Sequence, residues 1–371
     1  MNRYVLTPIV AFCALVLCCA YASAQATVSI ALLRQGNLYF VQRPVQQATP
    51  ELAALLLMQG PSLEEAAIGV TTSIPDTWTL ESAHVQGNYL VVDLGGVPAG
   101  TFYSDITIDD VLLQFSWTAR QFDLDARVLV SGEPISVLRH PQPEIEQRSV
   151  PLAPPGEPLP SGPLSGKKIC LSAGHGYFWN GSSWLTQRPV YCAPLSNEDF
   201  HNVVHAIMLK AYLEAEGATV IDTREMNKNR GTSPHASKPW WQLAAPPYLY
   251  DRGYPVSVYA PLTGAVPGTP GVDQTTEDRR TRPNASNYDG ADLFVSLHTN
   301  GYQGNCYGTT CPSGLEMYYS STKVGAASYN FAKTLQVSCS SAVISYWGSW
   351  PCRNSCNPRD NAFTEIYYPT A

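Results

Sequence analysis

The hydrophobic pattern divides the chain into two halves. In the first, ATVSIALL and NLYFVQR carry apolar residues at a spacing suited to strands. TPELAALLLMQ then reads as a helix, with Thr49 as N-cap, Pro50 in the first turn and Gly60 just past the end. EEAAIGVTTSIP, TLESAHVQGNYLVVDL and ARVLVSGEPISVL supply further turns and strands. In the second half GKKICL is a strand. SNEDFHNVVHAIMLKAYLEAEG is a helix capped by Ser196 or Asn197, with Phe200, Val203, Val204, Ile207 and Ala211 on its apolar face. ATVIDT is a second strand, and ADLFVSLH a third, nearly all apolar as a strand covered on both faces is. GLEMYYS and AFTEIYY are further strand candidates, with a helix near KVGAASYNFAKTLQV between them. This alternation predicts an α/β fold, a sheet sandwiched by helices, preceded by a smaller α+β domain.

Between His140 and Gly166 the chain holds eight prolines, a run suited to a semi-rigid spacer. The domains are therefore expected at 27–138 and 167–371, joined by a proline-rich linker at 140–166. The first residues, with the apolar stretch IVAFCALVLCCA and then ASA before Gln25, read as a signal peptide over 1–24. That stretch is short for a bilayer span, so no stable membrane insertion is expected after cleavage. Seven cysteines remain beyond it, all in the second half, and export makes disulfides plausible there. Seven is odd, which leaves at least one unpaired within the chain. The formal net charge of −7 and the absence of a basic cluster exclude a nucleic-acid binder that relies on phosphate neutralisation.

The chemistry concentrates at strand ends. Ligands of open α/β sheets bind beyond the carboxyl ends of the strands. His175, within Gly-His-Gly, lies just past KKICL, and His298 ends ADLFVSLH. Glu198 stands in the first turn of the helix after the first of these strands, at the same sheet edge. Two histidines and a glutamate with an open fourth position form a ligand set for catalytic zinc. Singly, each has a blander role: His298 as a core histidine, His175 as a loop residue, Glu198 as a first-turn carboxylate favoured by the helix dipole. A competing pair, His201 and His205, is four apart on one helix but lacks the glutamate of H-E-x-x-H and faces away from the apolar stripe, as a solvated face does.

The stretches KKICLSAGHG, LSNEDFHNVVHAIMLKAYLEAEGATVIDTRE, RPNASNYDGADLFVSLHTN, GLEMYY and NAFTEIYY resemble the zinc-dependent N-acetylmuramoyl-L-alanine amidases of the type 3 family, over residues 167–368. The resemblance implies a peptidoglycan hydrolase with Zn2+ held by His175, Glu198 and His298, and Glu365 as the catalytic glutamate. Arg224 and Arg282 match family arginines with a structural role. It also implies a secreted, extracellular or wall-associated protein. A peptidase acting on the stem peptide, or an inactive wall-binding protein, is the alternative. Three features depart from the family: Ser172 and Ala173 before the Gly-His-Gly with Tyr177 after it, six residues after Glu365 where a closing helix usually follows, and a long aromatic insertion between Arg224 and Arg282. The insertion suits either a groove for glycan or peptide or a packed surface loop. Residues 27–138 resemble the GerMN domain through ALLLMQGPSLEEAAIGVTTSIP, VQGNYLVVDL and VSGEPISV, which implies a non-enzymatic module with a wall or protein partner. Within AFTEIYY, alternation puts Phe363, Glu365 and Tyr367 on one strand face. A carboxylate among apolar neighbours is costly unless it is paired or near a metal.

Overall fold

The computed structural model describes residues 26–148, 161–188, 197–299, 314–321, 325–348 and 356–369. The expected leader at 1–24 lies outside these residues, as do Cys192, Cys306, Cys311 and Cys352. Cys170 and Cys339 are free thiols.

In the N-terminal domain β1 (Ala26–Arg34) and β2 (Asn37–Val45) pair antiparallel. Helices α1 (Pro50–Met58) and α2 (Leu63–Ala67) follow, and β3 (Val70–Thr71) adds to the far side of β1. The α1 cap forms as the sequence predicts: the Thr49 hydroxyl accepts from the Leu52 amide at 3.2 Å. A second sheet runs β4 (Thr79–Gln86), β5 (Tyr89–Gly95), β6 (Asp125–Val130), β7 (Glu133–Pro134). Helix α3 (Asp105–Ala119) packs on both β1 and β6 and closes the core with Ile108, Val111 and Phe115.

The C-terminal domain is built on three parallel strands. β8 (Lys168–Ala173) lies between β11 (Thr219–Asp222) and β12 (Leu293–Leu297). A hairpin of β9 (Tyr177–Trp179) and β10 (Trp184–Thr186) follows β8, and α4 (Glu198–Ala215) comes next. α4 covers one face, where Leu171 and Ala173 of β8 meet Val203 and Ala206. Helices α5 (Ala245–Asp251), α6 (Val256–Tyr259) and α7 (Glu277–Asp289) form a packed group, and α7 lies on β8 at the other face, where Cys170 meets Ser286. The sheet is thus sandwiched. The aromatic insertion supplies α5, α6 and a buried cluster of Ala236, Trp240 and Leu243, so much of it is scaffold. The rest of the domain is β13 (Tyr318–Tyr319), α8 (Gly325–Trp347), β14 (Arg359–Asp360) and α9 (Thr364–Tyr367), with β13 and β14 paired in parallel.

Three elements differ from the sequence pattern. Of the five residues expected on the apolar face of α4, Val203 is fully buried, Phe200, Val204 and Ile207 are half-buried and Ala211 is exposed; Glu198, Asp199 and Asn202 are buried as well, because these polar side chains fasten the loop after β8. GLEMYYS yields only the two residues of β13. AFTEIYY turns into helix α9 rather than a strand: Asp109 accepts the Thr364 amide at 2.9 Å, and Phe363 oxygen accepts from Ile366 and Tyr367. In the proline-rich stretch, residues 141–148 lie against the C-terminal domain. Ile145 packs against the cluster that contains Tyr254, and the Arg148 guanidinium sits 4.8 and 5.0 Å from the rings of Tyr254 and Tyr288.

Leu171 is fully buried between the sheet and α4. Leu171→Ala is expected to lower stability by about 2–5 kcal/mol. Urea unfolding of the metal-free chain, where bound ion cannot mask the loss, is the measurement.

Candidate metal centre

In the parallel ladder Ala173 pairs with Leu297, so the residues after β8 and β12 leave the sheet at one edge. His175 and His298 emerge there, and Glu198 opens α4 beside them, next to its N-cap Asn197. His175 Nε2 lies 3.1 Å from Glu198 Oε1. His298 Nδ1 lies 3.1 Å from that same oxygen and 3.1 Å from His175 Nε2. Among the described residues this is the group whose ligand atoms converge, and His201 and His205 take no part in it. Three lone-pair donors on one small triangle suit a tetrahedral zinc, whose bonds of 2.0–2.1 Å set donors about 3.3 Å apart.

The loop around His175 is held by buried polar groups. The Asp199 carboxylate accepts from the amides of Gly176 at 2.7 Å, Gln187 at 2.8 Å and Arg188 at 2.9 Å. Arg224, fully buried, donates to the carbonyls of Gly174 at 3.0 Å and Asp199 at 2.9 Å. The two glycines have separate reasons. A Cβ at Gly174 would stand 2.2 Å from the His298 ring, and one at Gly176 2.6 Å from the Ala244 nitrogen, where φ is also +126°. Gly174 thus leaves room for one imidazole while His175, at φ +67°, presents the other.

A hydrogen-bonded circuit joins the two histidines from behind. Gln187 Oε1 meets His175 Nδ1 at 2.9 Å, and its amide nitrogen donates to Asp278 at 2.9 Å. Arg282 then bridges Asp278 and Glu365, at 2.8 Å to each. Glu365 Oε2 returns to His298 Nε2 at 3.2 Å and accepts from the Ser296 hydroxyl. Burial pushes the His175 imidazole down, toward the neutral form that binds metal. Burial also opposes a charge on His298, but Glu365 and Glu198 outweigh it and raise this histidine to about 9. Glu365 and Glu198 are held well below the usual carboxylate range: burial opposes this, and Arg282 with His298, or His175 with His298, prevails. Without an ion, a proton on His298 thus neutralises the buried carboxylates.

Residues 169–346 match the family model described as N-acetylmuramoyl-L-alanine amidase. The C-terminal domain is thus similar to that amidase family. Two solved structures are similar to part of the chain. Tandem GerMN domains of the sporulation protein GerM from Bacillus subtilis share 17% identity over 30% of this chain and 40% of that one, with a TM-score of 0.23. A candidate lipoprotein from Clostridium perfringens shares 14% over 31% of this chain and 80% of that one, with a TM-score of 0.21. The chain thus spans less than half the length of the first. No curated protein matches the chain.

Sequence reading of the amidase domain missed Asp199, Gln187, Asp278 and Ser296. Asp199 left a signal as the second carboxylate in the first turn of α4, whereas nothing marked Gln187, whose partners are twelve and ninety-one residues away.

Gly174→Ala should displace the His298 ring and abolish stoichiometric zinc in the purified amidase, read by metal analysis. In the metal-free chain the raised His298 contributes stability that is full below about pH 6.5 and is lost as pH rises through about 9. Zinc added in weak buffer at pH 6, where zinc-bound water is still largely un-ionised, should therefore release close to one proton per ion, seen by pH-stat titration.

Proposed function

We propose that the amidase domain hydrolyses the amide joining the lactyl group of N-acetylmuramic acid to L-alanine in peptidoglycan, with zinc held by His175, Glu198 and His298. The observation that carries this reading is the triangle of donor atoms 3.1 Å apart, with the Glu365 carboxylate against one of its members. Zinc bound there supplies Lewis acidity and lowers the pKa of water at its open position to about 7. The chain's own groups do the rest. Arg282 holds Glu365 Oε1 while Ser296 and His298 hold Oε2, and this carboxylate takes the proton from water and returns it to the departing alanine nitrogen. Gln187 fixes His175 through Nδ1 and leaves Nε2 for the ion. Buried Arg224 and Asp199 keep the loop from shifting as substrate binds.

The remaining assignments rest on sequence. Residues 1–24 direct export, which places the enzyme outside the cell or on the wall. Disulfides among the second-half cysteines fit that compartment. The domain limits are 27–138 and 167–371, with a GerMN-like domain that meets wall or a protein partner. Among the described residues no helix is long and apolar enough to cross a membrane.

Digestion of purified peptidoglycan by the full chain should expose a free L-alanine amino terminus. A different new terminus would indicate a stem-peptide peptidase, and none a wall binder. Glu365→Gln should lower turnover by about 10²–10⁴-fold with zinc retained. A loss confined to metal affinity, about 10–100-fold, would instead make Glu365 a carboxylate that only orients His298.

A further inference from the structure

The segment that carries Glu365 is seated on the N-terminal domain. Ala362 and Phe363 pack against that domain's hydrophobic core. Asn361 donates to Ser116 of α3 at 3.0 Å. Thr364, fully buried, gives both its amide (2.9 Å) and its hydroxyl (3.1 Å) to Asp109 of α3. Arg139 binds the Thr364 hydroxyl and reaches the Ala362 carbonyl at 2.9 Å. The seat is itself a buried charge cluster. Arg139 pairs with Asp105 at 3.1 Å and Asp109 at 2.6 Å. From α7, Arg279 pairs with Asp109 at 2.6 Å, and Arg280 meets Asp105 at 3.1 Å. Arg282, the partner of Glu365, lies two residues further along α7. One pair of aspartates on α3 therefore fixes both the backbone beside Glu365 and the helix bearing the arginine that holds it.

We propose that the N-terminal domain is a structural part of the amidase centre: Asp105, Asp109 and Arg139 are positioning residues that set Glu365 against His298. This rests on the reading of Glu365 as the proton carrier. A carboxylate working by proton transfer loses about 10²-fold when misplaced by an ångström, and the backbone beside Glu365 is held by Asp109 and Arg139. The interface is dense in charge, so its pairing is directional. Removing one partner leaves another charge buried and alone, which forces the seat open rather than letting it relax into a near-equivalent arrangement.

The test uses the full chain with Asp109→Asn. Turnover per bound zinc should fall about 10²-fold, with zinc stoichiometry unchanged and KM within about twofold. The same substitution on a Glu365→Gln background should cost less than about twofold, because two residues acting through one group are not additive. Equal falls in both backgrounds would mean general destabilisation and overturn the proposal. Thr364→Val removes the gripped hydroxyl without touching any charge and covers the case in which Asp109→Asn does not fold. It should reproduce the loss, and Thr364→Ser should restore turnover. Amide hydrogen exchange reads the seat even if the chain cleaves no peptidoglycan. In Thr364→Val, exchange over 361–369 should speed up while 168–173 and 293–297 stay protected. Unchanged protection over 361–369 would sink the idea whatever the enzyme's activity.

Discussion

The register of β8 against β12 is the constraint on which the site depends. Pairing Ala173 with Leu297 sends two histidines off one edge of a sheet within hydrogen-bond distance of each other. A slip of one residue would turn each side chain to the opposite face. The register is secured by cover on both sides, with Leu171 and Ala173 under α4 and Cys170 under α7. Gly174 and Gly176 then make the turn out of the sheet without filling the space that the imidazole needs.

Strand ends were easy to read. Short apolar runs followed by a histidine located His175 and His298, and a capped amphipathic helix located Glu198, because each signal is local. Glu365 was legible as a residue but not as a conformation. Alternation in AFTEIYY suggested a strand, yet the acceptor that turns Thr364 into a helix start is Asp109, 255 residues away. The face of α4 was read only in part, with Val203 buried as expected, for a related reason. Hydrophobic periodicity assumes that polar side chains seek water, and Asp199 and Asn202 are buried because the loop after β8 supplies their partners. The sandwiched sheet and the α+β first domain followed from pattern, whereas the contacts of residues 141–148 with α7 did not.

Few residues of this chain are charged, 14% in all, but many of the important ones lie inside. Arg224, Arg280 and Arg282 are each fully buried, and Arg139 nearly so. Such pairs add little net stability, since desolvation consumes most of the attraction. Their value is in geometry: a guanidinium fork meets a carboxylate in few orientations. Arg224 fixes the first loop through carbonyls, Arg282 fixes Glu365 through a carboxylate, and Arg139 and Arg280 fix one domain on the other. Apolar packing supplies the cohesion of each core, and the arginines supply the angles between them.

Access at the metal centre is uneven. The side chains of His175 and Glu198 are 4% and 1% exposed, while that of His298 is 27% exposed. Solvent and any competing chelator would therefore reach a bound ion on the His298 side. Exchange would begin there, with one arm letting go while the buried pair still held. How long an ion resided would then depend less on the two covered donors than on how firmly Glu365 and Ser296 brace the exposed imidazole from behind.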